Sequence, residues 1–163
     1  MTAVTAYVGI GSNIDADKHI NQALALLADR VGACIKSPVY KNPAQGFVGD
    51  EFLNLVIGFE FDQPIEDLRG ILDDIECRCG RQRQTEKGMG ARTMDLDLLL
   101  FGSLEGVYAG MRLPRPDIYN RQFVWQPLLD IFNSKDQLNK FERDLQARLQ
   151  TIAQTTEAMR PLS

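Results

Sequence analysis

Phe52-Leu53-Asn54-Leu55-Val56-Ile57-Gly58-Phe59-Glu60-Phe61 alternates along its whole length. Successive side chains of a strand point to opposite faces, so Leu53, Leu55, Ile57, Phe59 and Phe61 share one face, leaving Phe52, Asn54, Val56, Gly58 and Glu60 on the other. The first face reads as core. The second holds an aromatic ring beside an amide outside that core.

Upstream, residues 4–11 alternate in the same way, with Ala6, Val8 and Ile10 on one face and Tyr7, Gly9 and Gly11 on the other. Ile20, Leu24, Leu27 and Val31 fall on one stripe at helical spacing and predict a helix from about Asp17 to Val31, ended by Gly32. A second strand over about 33–41 leads into an Asn42–Glu51 loop, where Pro43, Gly46 and Gly49 discourage regular structure. Downstream, Pro64 opens a helix with an apolar seam of Ile65, Leu68, Leu72, Ile75 and Cys79, closed by Gly80. The run Met94-Asp95-Leu96-Asp97-Leu98-Leu99-Leu100 is the fourth strand, with Met94, Leu96, Leu98 and Leu100 turned to the core and both aspartates away from it. This β-α-β-β-α-β order predicts an α+β, ferredoxin-like antiparallel sheet with helices on one face and the other face open to ligands. In that topology the Gly9/Gly11 notch lies between Phe52/Asn54 and Asp95/Asp97. Residues 134–158 form a helical extension, with Leu138, Phe141, Leu145, Leu149 and Ile152 at three- and four-residue steps; it packs on the domain, with a dimer seam as the alternative.

Length and composition fit one domain over 1–163: 163 residues, 44% hydrophobic and 25% charged, with no repeat or long linker to divide them. A net charge of −4 argues against nucleic acid as a partner. No apolar run reaches the roughly 18 residues that span a bilayer, and no signal segment opens the chain, so no membrane partner and a cytoplasmic address are expected. Cys34, Cys77 and Cys79 match neither a redox pair nor a zinc framework, and read as reduced structural thiols.

Asp95 and Asp97 project side by side as hard oxygen ligands for Mg²⁺ would; the plainer alternative is a solvated acidic strand face. Their neighbours favour the metal. From Arg81 to Arg92 the chain carries four cations against one anion, a basic island in an acidic protein, and Arg115 and Arg121 follow downstream. Arginine forks suit phosphate oxygens, and Mg²⁺ commonly binds through one or two carboxylates plus substrate phosphates. A metal-bridged polyphosphate between these segments is the economical explanation. The first glycines are not a dinucleotide fingerprint, since Gly9-x-Gly11-x-x-Ile14 lacks its third glycine, and no Walker A sequence occurs.

The set Tyr7-Val8-Gly9-Ile10-Gly11-Ser12-Asn13, Phe52-Leu53-Asn54, Gly80-Arg81-Gln82-Arg83, Arg92-x-x-Asp95-Leu96-Asp97 and Arg121-x-Phe123-Val124 resembles the 6-hydroxymethyl-7,8-dihydropterin pyrophosphokinases of folate biosynthesis, over residues 5 to about 130. The resemblance implies a reaction in which ATP gives its terminal pyrophosphoryl group to the hydroxymethyl oxygen of a reduced pterin, releasing AMP. It implies two Mg²⁺ ions held by Asp95 and Asp97, with Arg83 and Arg92 also catalytic. Arg81, Arg83, Arg92, Arg115 and Arg121 would contact phosphates or support closed loops, and Glu76 would orient an arginine or reach the nucleotide. Phe52 and Phe123 would take the two faces of the pterin, Asn54 its polar edge, and Tyr7, Asn42, Pro43 and Ala44 the surroundings. The only histidine, His19, is placed as a solvated surface residue away from these motifs.

Several positions depart from the family pattern. Pro114-Arg115 stands where Pro-His is usual, Met89 where an aromatic is common, and Ala91 where proline is frequent; the loop before Asp95 carries one extra residue. Asn42, Arg115 and Met89 keep open a paralogue acting on a related pterin; the other alternative is a non-catalytic module that binds pterin or nucleotide, which loss of either aspartate would favour, and both are present. The Asn42–Glu51 and Arg81–Ala91 segments are expected to be lids, and the protein a monomer.

Overall fold

Strand β1, Val4–Ser12, runs antiparallel between β4, Phe52–Phe61, and β5, Asp95–Phe101. The computed structural model describes residues 2–42, 52–80 and 94–162. Helix α1, Ala16–Val31, follows β1, and α2, Ile65–Arg78, follows β4. Beyond β4 the sheet is completed by β2, Ile35–Lys36, and β3, Tyr40–Asn42, both paired with β4. The single strand expected over 33–41 is therefore two, interrupted at Ser37-Pro38. Proline has no N–H to give a ladder. Ser37 bridges the break, donating its N–H to the Val56 carbonyl at 2.9 Å and accepting the Val56 N–H on its hydroxyl at 2.9 Å.

One face of the sheet buries Ala6, Val8, Ile10, Leu53, Leu55, Ile57, Leu96 and Leu98 against Ile20, Ala23 and Leu27 of α1 and Leu68, Leu72 and Ile75 of α2. Full burial of a side chain such as Leu27 or Leu68 stabilises the fold by about 1.5–3 kcal/mol. The alternation of β1 and β4 places these residues as their sequence predicts.

Helices on one face alone do not describe this protein. After the hairpin of β6, Gly106–Tyr108, and β7, Met111–Leu113, come α3, Asp117–Asn120, α4, Gln122–Ser134, and α5, Lys140–Gln154. Val124, Leu128 and Phe132 of α4 and Leu145 and Leu149 of α5 form a second core with Tyr7, Val56, Leu99 and Leu100 of the sheet. The apolar residues Tyr7 and Val56 on the supposedly open face need that cover. Leu100 belongs to this second core because Val8 pairs with Leu98 and Tyr7 with Leu100, so Leu99 is an extra residue in β5. A bulge of this kind shifts the alternation by one.

The C-terminal helix is shorter than the expected 134–158. Asn139 accepts the Glu142 N–H at 2.8 Å while the Glu142 carboxylate accepts the Asn139 N–H at 3.1 Å, a capping box that starts α5 at Lys140. Beyond α5 the chain returns to the sheet edge. The Gln126 side chain bonds both the N–H and the carbonyl of Met159, and Leu162 donates its N–H to Val39.

Candidate active site

Two backbone registers build the site. Gly9 sits between Val56 of β4 and Asp97 of β5, and Gly11 between Asn54 and Asp95. With no Cβ at either position, the β1 backbone forms the floor of a groove whose walls are side chains of its two neighbours. Above this floor lies a cavity of about 300 Å³. Asn42, Phe52, Asn54 and Val56 line one side, Asp95, Asp97 and Leu99 the other, and Arg115, Asp117, Arg121 and Phe123 close it from the α3–α4 region.

β5 carries its two carboxylates to this cavity because both lie before the bulge, where the alternation still holds. The Asp97 side chain is 40% exposed, but that surface opens into a concave site rather than onto bulk water. Burial pushes its carboxyl up to about 6; Arg115 opposes that rise, and Asp95, Glu76 and Asp117 add to it. Arg115 thus compensates the charged form only in part, and a bound cation would add to it. Arg115 donates from Nε to Asp117 at 2.9 Å, and its Nη2 lies 3.7 Å from Asp97 Oδ1. Its backbone N–H donates to the Leu99 carbonyl at 2.9 Å, which fixes the segment against the bulge.

Asn54 is buried, and its side-chain Nδ2 has no hydrogen-bond partner among the described residues. A buried donor left unmade costs roughly 1–3 kcal/mol, so this amide on the cavity wall is a place for a ligand's acceptor. Phe52 and Phe123 are both half-buried and line the same space. Phe123 also packs on the second core, since it stands in the first turn of α4.

Tyr7 and Glu76, also expected at the site, lie elsewhere. Tyr7 does not line the cavity; its position on β1 places it in the second core, where its hydroxyl donates to Glu142 and accepts from Lys135 Nζ at 2.9 Å. Burial, and then the Glu142 carboxylate, push that phenol well above its ordinary range. Glu76 is buried between α2 and β5 and accepts the Leu96 N–H at 2.8 Å, supporting the aspartate strand from behind. His19 is half-buried, not solvated, with Nδ1 2.6 Å from the Ile14 carbonyl. Pro43, Ala44, Arg81, Arg83 and Arg92 fall outside the described residues, as do both expected lids apart from Asn42, which ends β3. Asp117 was not among the expected site residues; its signal was the Arg115-Pro116-Asp117 spacing, which reads equally well as a surface pair.

No group of three or more His, Cys, Asp or Glu side chains suited to hold a metal alone occurs among the described residues. Asp95 and Asp97, in a cavity with arginines, instead suit Mg²⁺ shared with phosphates. Such a site, beside a notch with an unpaired amide and two aromatic rings, has the makings of metal-assisted phosphoryl transfer to a flat heterocycle.

Comparison with known proteins gives the family. The family model described as 7,8-dihydro-6-hydroxymethylpterin-pyrophosphokinase matches residues 7–133. The chain is 32% identical over 130 residues to the 2-amino-4-hydroxy-6-hydroxymethyldihydropteridine pyrophosphokinase of Bacillus subtilis (strain 168), covering 77% of each chain. It is 32% identical over 131 residues to the protein of the same name from Porphyromonas gingivalis (strain ATCC 33277), covering 77% of this chain and 88% of that one. The Haemophilus influenzae (strain ATCC 51907) protein of that name is 30% identical over 132 residues, covering 78% and 81%. The chain belongs to this pyrophosphokinase family, and its activity is accordingly ATP-dependent pyrophosphoryl transfer to hydroxymethyldihydropterin in folate biosynthesis.

Proposed function

We propose that the two substrates meet over the Gly9/Gly11 floor, the pterin toward Asn54 and the ATP phosphates toward Asp95 and Asp97. The register that sets each glycine between a β4 residue and a β5 aspartate carries this reading. The pterin ring stacks between Phe52 and Phe123, and the Asn54 amide donates to its polar edge. Asn42, Pro43 and Ala44 border that pocket. Arg81, Arg83, Arg92, Arg115 and Arg121 bind the triphosphate, and Arg83 and Arg92 count among the catalytic residues with the two aspartates.

Asp95 and Asp97 are the residues that would hold two Mg²⁺ ions. Those ions supply charge neutralisation for the phosphates and a lowered pKa for the acceptor hydroxyl. The hydroxymethyl oxygen forms its bond to the β-phosphorus as the bond from that phosphorus to the oxygen of AMP breaks, and the hydroxyl proton leaves. What the protein contributes is placement and charge, which is most of what phosphoryl transfer asks.

The same reading takes the whole chain as one ferredoxin-like domain with a second helical layer, monomeric and cytoplasmic. Leu145 and Leu149 of α5 are buried in the second core, which disfavours a dimer seam. Free Cys34, Cys77 and Cys79 fit a reducing compartment. The test of the site is Asp95→Ala and Asp97→Ala. Each should lower kcat about a hundredfold or more, as loss of a preorganised electrostatic group does, with an unchanged thermal melt. A folded variant that keeps its activity and Mg²⁺ dependence contradicts the assignment.

A further inference from the structure

Arg115 reaches two carboxylates unequally. It makes a hydrogen-bonded ion pair with Asp117 at 2.9 Å, but only a looser contact with Asp97 at 3.7 Å. The guanidinium fork can serve both because its donors are fixed in one plane. Its tight end is anchored on Asp117, the residue that begins α3, while its loose end rests on Asp97 of β5. All three side chains are 36–40% exposed, so giving up the loose contact is inexpensive.

We propose that Arg115 is a positioning residue that neutralises Asp97 in the ligand-free enzyme and must give up that contact for Asp97 to ligate a divalent cation, turning on its Asp117 anchor toward the phosphates. This rests on Asp95 and Asp97 being metal ligands. Arg115 thereby sets the cation concentration at which the site fills and couples that filling to capture of the nucleotide. With Asp97 covered by a guanidinium, the enzyme holds a divalent ion weakly until phosphates offer the arginine another partner.

The experiment titrates the intact protein with Mn²⁺ alone, counting free ion by electron paramagnetic resonance, and repeats the titration with a non-hydrolysable α,β-methylene ATP. Arg115→Gln should tighten Mn²⁺ binding without nucleotide roughly three- to tenfold, since it removes a unit charge beside one ligand, while weakening the binding of the ATP analogue. Arg121→Gln, which removes another cation lining the cavity, controls for a general field effect and should change Mn²⁺ binding less than about twofold. Asp95→Asn should weaken Mn²⁺ binding. If Asp95→Asn weakens it but Arg115→Gln leaves it unchanged or weaker, the proposal fails and the metal site stands. Equal tightening by Arg115→Gln and Arg121→Gln also overturns it. If Asp95→Asn has no effect, the metal assignment itself fails. Arg115→Met replaces Arg115→Gln should the latter not fold by circular dichroism.

Discussion

Gly11 and Asn54 face each other across the β1–β4 ladder so closely that a methyl group on the glycine would lie 2.8 Å from the Asn54 side-chain oxygen. The amide that is left to read a ligand is therefore held by the absence of a side chain opposite it.

Gly11→Ala should displace that amide while leaving both cores intact. We expect affinity for 6-hydroxymethyl-7,8-dihydropterin to fall about tenfold, the effect of misplacing one neutral hydrogen bond, with ATP affinity almost unchanged. Isothermal titration with each ligand measures both. An unchanged pterin affinity in the folded variant would detach Asn54 from pterin recognition.

Phe123 divides its ring between the cavity and the second core, so Phe123→Ala would confuse lost stacking with lost packing. Phe123→Leu keeps most of the apolar bulk. Aromatic stacking contributes about 0.5–1.5 kcal/mol beyond area burial, so pterin should bind roughly two- to tenfold more weakly and ATP as before. Equal loss of both ligands would assign Phe123 to the core alone.

In the second core, Glu142 ties α5 to β1 and to the end of α4 through Tyr7 and Lys135, the latter at 2.8 Å. Burial works to raise its carboxyl, but the bonds from Lys135 and Tyr7 outweigh that and hold it below its ordinary value of 4.5. A depressed folded pKa gives stability that is complete above the unfolded value and disappears as pH falls through the folded one. Glu142→Ala should cost roughly 3–5 kcal/mol at pH ~7, as removal of one partner of a buried pair does. The difference from the parent should shrink at about pH 3. Urea unfolding at both pH values checks this, and an equal loss at both would contradict it.

How much of this was legible in the chain differs from element to element. β1 and β4 follow from strict alternation, and the aspartates' shared face from the same period of two. Leu100 was misplaced because a bulge at Leu99 leaves no mark in an unbroken apolar run. α4 escaped notice for two reasons: Pro127 lies inside it, and Phe123-Val124-Trp125 is contiguous rather than spaced. Missing that helix made the second face look open and left Tyr7 as a pocket residue, although its hydroxyl is bound to Glu142 135 positions away. The start of α5 was readable from Asn139-x-x-Glu142. Arg115 and Asp117 show the limit most clearly, since two residues of separation give no hint that a third charge, Asp97 of β5, lies beside them.

The central claim is tested most directly by following the adenine nucleotide when the protein is mixed with ATP, Mg²⁺ and 6-hydroxymethyl-7,8-dihydropterin. Chromatography should show AMP appearing one-for-one with a pyrophosphorylated pterin, and neither product when Asp97→Ala replaces the parent. Release of ADP, or AMP formation that persists in the folded Asp97→Ala protein, would contradict transfer at the cavity between β1, β4 and β5.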